Sequence, residues 1–138
     1  MKLSDIPELL PLLTGKPPAV SFTGVQCDSR RVHAGDLFVA VSGQRDDGAR
    51  YGAAALARGA AAVISETPLR ECAKANILVR DARLALAILA NAANAWPSRR
   101  MDVFGITGTN GKTTTAWLLS ELLRAGGRDG RARRSNER

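Results

Sequence analysis

One stretch limits what this chain can fold into more than any other: V-F-G-I-T-G-T-N-G-K-T-T-T-A-W-L-L, residues 103–119. Met101 to Thr107 is a short apolar run with β-branched and aromatic residues, which predicts a buried parallel strand. Gly108 to Gly111 then places two glycines around Thr109 and Asn110, followed by Lys112, Thr113, Thr114 and Thr115. Trp117, Leu118, Leu119, Leu122 and Leu123 continue as an apolar helical pattern. Strand, glycine loop, Lys-Thr and helix in this order point backbone N–H groups at an anion, and the helix dipole favours it. The glycines let the backbone approach phosphate oxygens without a Cβ in the way. Lys112 is expected to reach the β- and γ-phosphates of a nucleotide, and the Thr113 hydroxyl to ligate Mg²⁺.

The match to the strict pattern G-x-x-x-x-G-K-[ST] has one departure. That pattern places a glycine at 106, where this chain has Ile106, and its glycines stand at 105 and 108 instead. The plain alternative is a glycine-rich turn that closes a tight corner. G-K-T-T between a predicted strand and a predicted helix is specific in its context, and favours the phosphate reading.

At 138 residues the chain fits about one domain of ordinary size. Hydrophobic residues reach 45% but aromatics only 4%, so alanine carries much of the packing. No apolar run approaches the ~18–20 residues of a membrane span. The start, M-K-L-S-D-I-P-E-L-L-P-L-L-T-G, is broken by Pro7 and Pro11 and carries Asp5 and Glu8, so it does not read as a secretory signal. Cys27 and Cys72 lie far apart with no metal-ligand spacing, and the default is two reduced thiols in a cytoplasmic protein. His33 stands alone and receives no catalytic or metal role.

The net charge of +7 raises the question of nucleic acid. Most of it sits at one end: Arg124 to Arg138 holds six arginines against Asp129 and Glu137. No aromatic residue is interleaved with those arginines, so the tail offers no stacking platform, and a nucleic-acid partner is not expected.

Along the chain, Leu3 to Leu13 predicts a short helical segment with apolar residues at 6, 9, 10 and 13, ended by Pro17-Pro18. Val20 to Val25 reads as a strand, Ala34-Gly35-Asp36 as a turn and Leu37 to Val41 as a buried strand. A-R-Y-G-A-A-A-L-A-R-G predicts an alanine-rich helix stopped by Gly59. A-A-A-V-I-S and N-I-L-V are further strands, and Asp81 caps a helix that Pro97 terminates. Strands alternating with helices predict an α/β fold with a mostly parallel sheet. The expected organisation is residues 1–97 as one domain, 98–125 as the opening βα unit of a second, and 126–138 as a disordered basic tail.

Two separate stretches resemble the same family. T-G-T-N-G-K-T-T-T, from Thr107 to Thr115, is similar to the ATP loop of the Mur ligases and their folylpolyglutamate synthase relatives, which depart from the strict pattern in the same way. Upstream, Asp28-Ser29-Arg30, Gly35 to Ala40, Gly43, Asp47-Gly48 and Tyr51 resemble the N-terminal substrate domain of Mur ligases that add the third and later stem-peptide residues. Folylpolyglutamate synthases lack that upstream domain and fit poorly. The nearest likeness is to the members that add meso-diaminopimelate or lysine to UDP-N-acetylmuramoyl-L-alanyl-D-glutamate. The D-alanyl-D-alanine-adding members are the runner-up.

The resemblance implies residues 1–97 as the UDP-muramoyl-substrate domain and 98–125 as the start of an ATP-binding domain. It implies ATP and Mg²⁺ as cofactors, a UDP-muramoyl dipeptide and an amino acid as substrates, and an acyl-phosphate intermediate. ATP contacts carry over to Gly108, Thr109, Asn110, Gly111, Lys112, Thr113 and Thr114, with Thr113 also facing the metal. Substrate contacts carry over to Cys27 through its backbone, to Ser29, and to Gln44, Arg45 and Asp46. Arg45 has two readings, approach to the diphosphate or a solvated loop arginine. Asp28 and Arg30 read as a turn-stabilising pair.

The chain ends 25 residues after Thr113, in R-D-G-R-A-R-R-S-N-E-R, where family members run on into another strand. That reads as a truncated or frame-shifted terminus, with no catalytic residue assigned and no ligase activity expected of the 138 residues alone. Trp117 and the neighbouring leucines would then leave apolar surface that favours self-association. Two other classes remain open: an independent P-loop NTPase, which lacks a downstream acidic strand here, and a non-catalytic UDP-sugar-binding module.

Overall fold

The computed structural model describes residues 1–16, 18–43 and 47–128. The chain divides into two compact units, Met1–Arg100 and Met101–Arg138. The fold is mixed α/β.

The first unit is built on four strands: β1 (Val25–Gln26), β2 (Leu37–Val39), β3 (Ala62–Ser65) and β4 (Asn76–Leu78). They lie in the order β1-β2-β3-β4, and every neighbouring pair is parallel. Parallel strands must bury both faces, and the side-chain alternation of β2 shows how this is done. Leu37 and Val39 point to one face with Ile64, Ile77 and Val79, where α2 (Ala82–Ala93) covers them with Ala85 and Leu89. Phe38, Ala40 and Val63 point to the other face, where Ala55 of α1 (Gly52–Ala57) and Cys72 cover them. The apolar run of β2, buried at all three positions, is therefore shared between two cores.

The N-terminal segment departs from the expected single helix. It forms two 3₁₀ turns, Leu3–Asp5 and Pro7–Leu12. Pro11 has no N–H to donate, and the buried Leu3, Ile6 and Leu9 recur every third residue, the period of a 3₁₀ helix. Leu10, expected among the buried positions, is exposed. The expected strand Val20–Val25 shortens to Val25–Gln26, because its early part pairs with the chain start instead. The Leu3 amide donates to the Val20 carbonyl at 2.9 Å, and the Phe22 amide to that of Met1 at 2.8 Å.

Three helix ends share one hydrogen-bond pattern, in which the residue beyond the left-handed position donates to the carbonyl five residues back. Ala60 donates to Ala55, Trp96 to Asn91 and Arg128 to Leu123. Gly59 and Gly127 take the left-handed position at α1 and at α3 (Lys112–Ala125). At α2 it falls to Ala95, with Trp96 also left-handed, and the helix stops at Ala93 rather than running to Pro97 as expected. A residue before proline is sterically barred from helical geometry, so Trp96 cannot extend α2.

The second unit holds α3 and the segment before it. Here the expected buried strand Met101–Thr107 is corrected: the segment has no ladder partner among the described residues, and Val103 and Phe104 are 70% and 56% exposed. Backbone of strand-like sequence becomes a strand only when a neighbour takes up its N–H and C=O groups. Arg128 and Asp102 instead tie the segment's start to the end of α3 by a 2.7 Å ion pair. The expected tail lies mostly outside the described residues, beyond Arg128.

Candidate functional site

Two places carry the residues singled out by sequence, one in each unit. In the second unit, Gly111 caps α3 from the left-handed region at φ 76°, a conformation a side chain would strain. It turns the loop directly into the helix, and the Thr115 amide closes the first turn onto the Gly111 carbonyl at 2.8 Å. No acidic residue stands in that first turn, so the positive end of the helix dipole is not neutralised from within it. Lys112, the first helical residue, folds its ammonium back over the loop. Its Nζ donates to the Gly108 carbonyl and, at 3.3 Å, to the Thr109 carbonyl. A cation held by loop carbonyls beside helix N–H groups is a geometry that suits a phosphate. The structure thus brings Gly108, Thr109, Asn110, Gly111 and Lys112 together with Thr113 and Thr114 in one loop and first helical turn.

In the first unit the chemistry-bearing residues gather where the strands end. Cys27 and Ser29 follow β1, Ser42 follows β2, Glu66 follows β3 and Asp81 follows β4, all at the carboxyl edge of the sheet. In open parallel sheets ligands lie along that edge. Cys27 is exposed and Ser29 half-buried. Between them Asp28 caps its own turn: its Oδ1 accepts from the Arg30 amide and from Arg30 Nε, both at 3.0 Å, and its Oδ2 from Arg30 Nη2 at 2.8 Å. That bidentate fork lowers the Asp28 carboxyl from 3.8 to about 2, with the Arg30 side-chain bonds the largest cause. The pair's role is to shape the turn that presents Cys27 and Ser29. Gln44, Arg45 and Asp46 lie outside the described residues.

Around Ser42 the described chain is tightly tied. The Ser42 hydroxyl donates to Asp47 Oδ1 at 3.1 Å, Asp47 also accepts from the Ala49 amide, and the two residues form an antiparallel bridge. Gly48 is required next to it, since a Cβ there would lie 2.7 Å from the Val41 carbonyl oxygen. The α2 N-terminus is anchored as well, with the Ala82 amide bonded to Glu66 and the Leu84 amide to Asp81, each at 2.8 Å.

Two polar residues of this frame, Asn76 and Ser65, escaped the sequence reading, and a third, Asp36, was read only as part of a turn. Asp36 is buried, and its carboxylate accepts from the His33 amide at 3.0 Å and the Thr23 hydroxyl at 3.4 Å. Asn76 joins β4 to β3 through Val63 and Ser65, while its Oδ1 accepts from the Leu69 amide. The buried Ser65 hydroxyl donates to the Thr67 carbonyl at 2.7 Å. The signal for Asp36 was its place in G-D-L-F, a polar residue at the mouth of an apolar strand. Nothing local marks Asn76 or Ser65, whose partners are distant in sequence. Both cysteines are free thiols, Cys27 exposed and Cys72 buried; burial, with a smaller push from Glu71, raises the Cys72 thiol.

A parallel α/β sheet followed by a glycine-lysine-threonine loop on a helix N-terminus defines a class of proteins, and comparison with known ones specifies it. Residues 21–94 match the model described as "Mur ligase family, catalytic domain". The chain belongs to the Mur ligase family. It is 40% identical over 126 residues to the UDP-N-acetylmuramoyl-L-alanyl-D-glutamate--2,6-diaminopimelate ligase of Geobacillus kaustophilus, covering 91% of this chain and 25% of that protein. A solved structure of a ligase of the same description superposes with a TM-score of 0.64 at 29% identity, over 92% of this chain and 26% of the other. The MurF ligase of Thermotoga maritima in complex with ADP matches with a TM-score of 0.55 at 35% identity, over 73% of this chain and 23% of that one. The chain spans about a quarter of the length of the curated relatives it matches.

The turn at Asp28 yields a pH prediction. A carboxyl depressed in the folded state supports the fold fully above its ordinary 3.8, and that support is lost as pH falls through about 2. An NMR titration of the Asp28 carboxyl is expected to show a midpoint near 2, moving up toward 3.8 in Arg30→Gln. A midpoint near 3.8 in the unmodified chain would contradict the bidentate pairing.

Proposed function

We propose that these residues are the N-terminal part of an ATP-dependent ligase acting in peptidoglycan synthesis. It adds meso-diaminopimelate or lysine, as the third stem-peptide residue, to UDP-N-acetylmuramoyl-L-alanyl-D-glutamate. The observation that carries the reading is 40% identity, along nearly the whole chain, to a relative whose name states that reaction. The first unit then serves as the substrate domain and the second as the opening of the ATP domain. We place the protein in the cytoplasm, where both thiols stay reduced; no helix among the described residues is long and apolar enough to cross a membrane.

In this reading the loop at 108–114 receives the triphosphate of ATP. The backbone N–H groups at the start of α3 bind the anion, and Lys112 moves its ammonium from the Gly108 and Thr109 carbonyls to the β- and γ-phosphate oxygens. The lysine is thus already held beside its target, so little side-chain entropy is lost when the nucleotide arrives. Thr113 offers a hydroxyl to Mg²⁺. Among the described residues no group of three His, Cys, Asp or Glu side chains could hold a metal. When bound, the metal supplies charge neutralisation on the transferring phosphoryl group.

The carboxyl edge of the first unit receives the UDP end of the substrate: Cys27 through its backbone, Ser29, and Gln44 to Asp46. The γ-phosphoryl group passes to the terminal carboxylate of the dipeptide, giving an acyl phosphate and ADP. The amine of the incoming amino acid attacks the acyl carbon, and phosphate leaves. A polypeptide of these 138 residues alone is proposed to be inactive as a ligase. A second reading, addition of D-alanyl-D-alanine, is supported by the likeness, at 33% identity and a TM-score of 0.58, to an Acinetobacter baumannii structure described as a D-alanyl-D-alanyl ligase. A non-catalytic UDP-sugar-peptide-binding module is the third.

Calorimetric titration tests these readings. The 138-residue chain is expected to release heat with UDP-N-acetylmuramoyl-L-alanyl-D-glutamate, to bind Mg²⁺-ATP weakly, and to turn over neither. Preference for the tripeptide form of the UDP substrate would favour the second reading, and silence toward both would sink the substrate-domain assignment. Val103, Trp117 and Leu122 are 70%, 60% and 70% exposed, and the apolar area they leave open is proposed to favour self-association of this chain. Sedimentation velocity is expected to show the mean mass rising with concentration, and Trp117→Gln with Leu122→Gln to return it to that of a monomer. A concentration-independent monomer would exclude self-association.

A further inference from the structure

Arg83 lies in the first turn of α2, and its Nη2 donates to the Ser42 carbonyl at 2.8 Å across 41 residues of sequence. Ser42 follows β2, α2 follows β4, and β3 lies between those strands. The arginine therefore reaches over the carboxyl end of the intervening strand. Its base is rigid, because Glu66 and Asp81 fix the first turn of α2 through the Ala82 and Leu84 amides. Its target is rigid too: the hydroxyl and backbone of Ser42 engage Asp47, Asp47 caps the next turn, and the Gly48 amide donates to the Val41 carbonyl at 3.2 Å.

We propose that Arg83 is a positioning residue for the UDP-muramoyl substrate, holding the bridged pair of Ser42 and Asp47 in place at the carboxyl edge. The inference rests on reading that edge as the substrate site. A guanidinium suits the task physically. It is always charged, and its planar fork limits the freedom lost on bonding a carbonyl. Arg83 is exposed, so its contact contributes little to the global fold, and its effect falls on the local geometry of that pair.

The test compares the unmodified 138-residue chain with Arg83→Met and Arg83→Lys. Arg83→Met is expected to weaken binding of UDP-N-acetylmuramoyl-L-alanyl-D-glutamate about 3- to 10-fold, the net worth of one hydrogen bond, with the thermal midpoint unchanged. Arg83→Lys, which keeps a charged donor, is expected to recover part of that loss. Amide exchange at Ser42 and Asp47, without ligand, is expected to quicken in Arg83→Met while the exchange of β3 stays the same. Equal substrate affinity in Arg83→Met and the unmodified chain would overturn this inference and leave the substrate-site reading standing. No binding by the unmodified chain would overturn both. A lower thermal midpoint with unchanged affinity would show a merely structural arginine and overturn the positioning role.

Discussion

A central parallel strand must bury both of its faces, and that demand organises the first unit. β2 has three buried residues in a row and must give each to a core, so its alternate side chains need a layer on either face. One layer is α2 with the N-terminal 3₁₀ turns; the other is α1 with the turn that carries Cys72. Because both faces are covered, the strand ends are where backbone and polar side chains meet solvent. The carboxyl edge thereby becomes the place where a ligand can be held without disturbing either core. Asp36, Ser65 and Asn76 let the frame pass from apolar strands to polar ends without leaving a buried donor unpaired. An unpaired one would cost about 1–3 kcal/mol.

The same accounting explains the second unit. Its segment before the loop has strand-like residues but no neighbour among the described residues to take up its backbone groups. Its helix nevertheless forms, since α3 satisfies its own hydrogen bonds and needs no partner for them. The loop between the two is shaped locally, by a left-handed glycine and a lysine folded over two carbonyls. A loop of this shape can therefore form in a unit whose apolar side chains are exposed.

How much was legible in the sequence follows from how local each feature is. The parallel sheet could be read from apolar runs alternating with alanine-rich helices, and the glycine stop at Gly59 and the Asp81 cap were found where the residues predicted them. The Asp28–Arg30 turn was also readable, because both partners lie within three residues. The 3₁₀ form of the N-terminal segment was not, although Pro11 and the three-residue spacing of Leu3, Ile6 and Leu9 carried the signal. The strand expected at 101–107 failed for a deeper reason: strand residues predict a capacity to pair, and the pairing itself belongs to a second segment. Ser42, Asn76 and Arg83 lay beyond reach for the same reason, their partners being set by topology rather than spacing.

We propose that the carboxyl edge of the four-stranded sheet is the substrate site. Hydrogen–deuterium exchange of the chain with and without UDP-N-acetylmuramoyl-L-alanyl-D-glutamate tests it most directly. The ligand is expected to slow exchange at residues 27–29 and 40–43 and to leave α1, on one face of the sheet, unchanged. Protection confined to α1 or to the loop at 108–114, with none at the strand ends, would contradict the proposal.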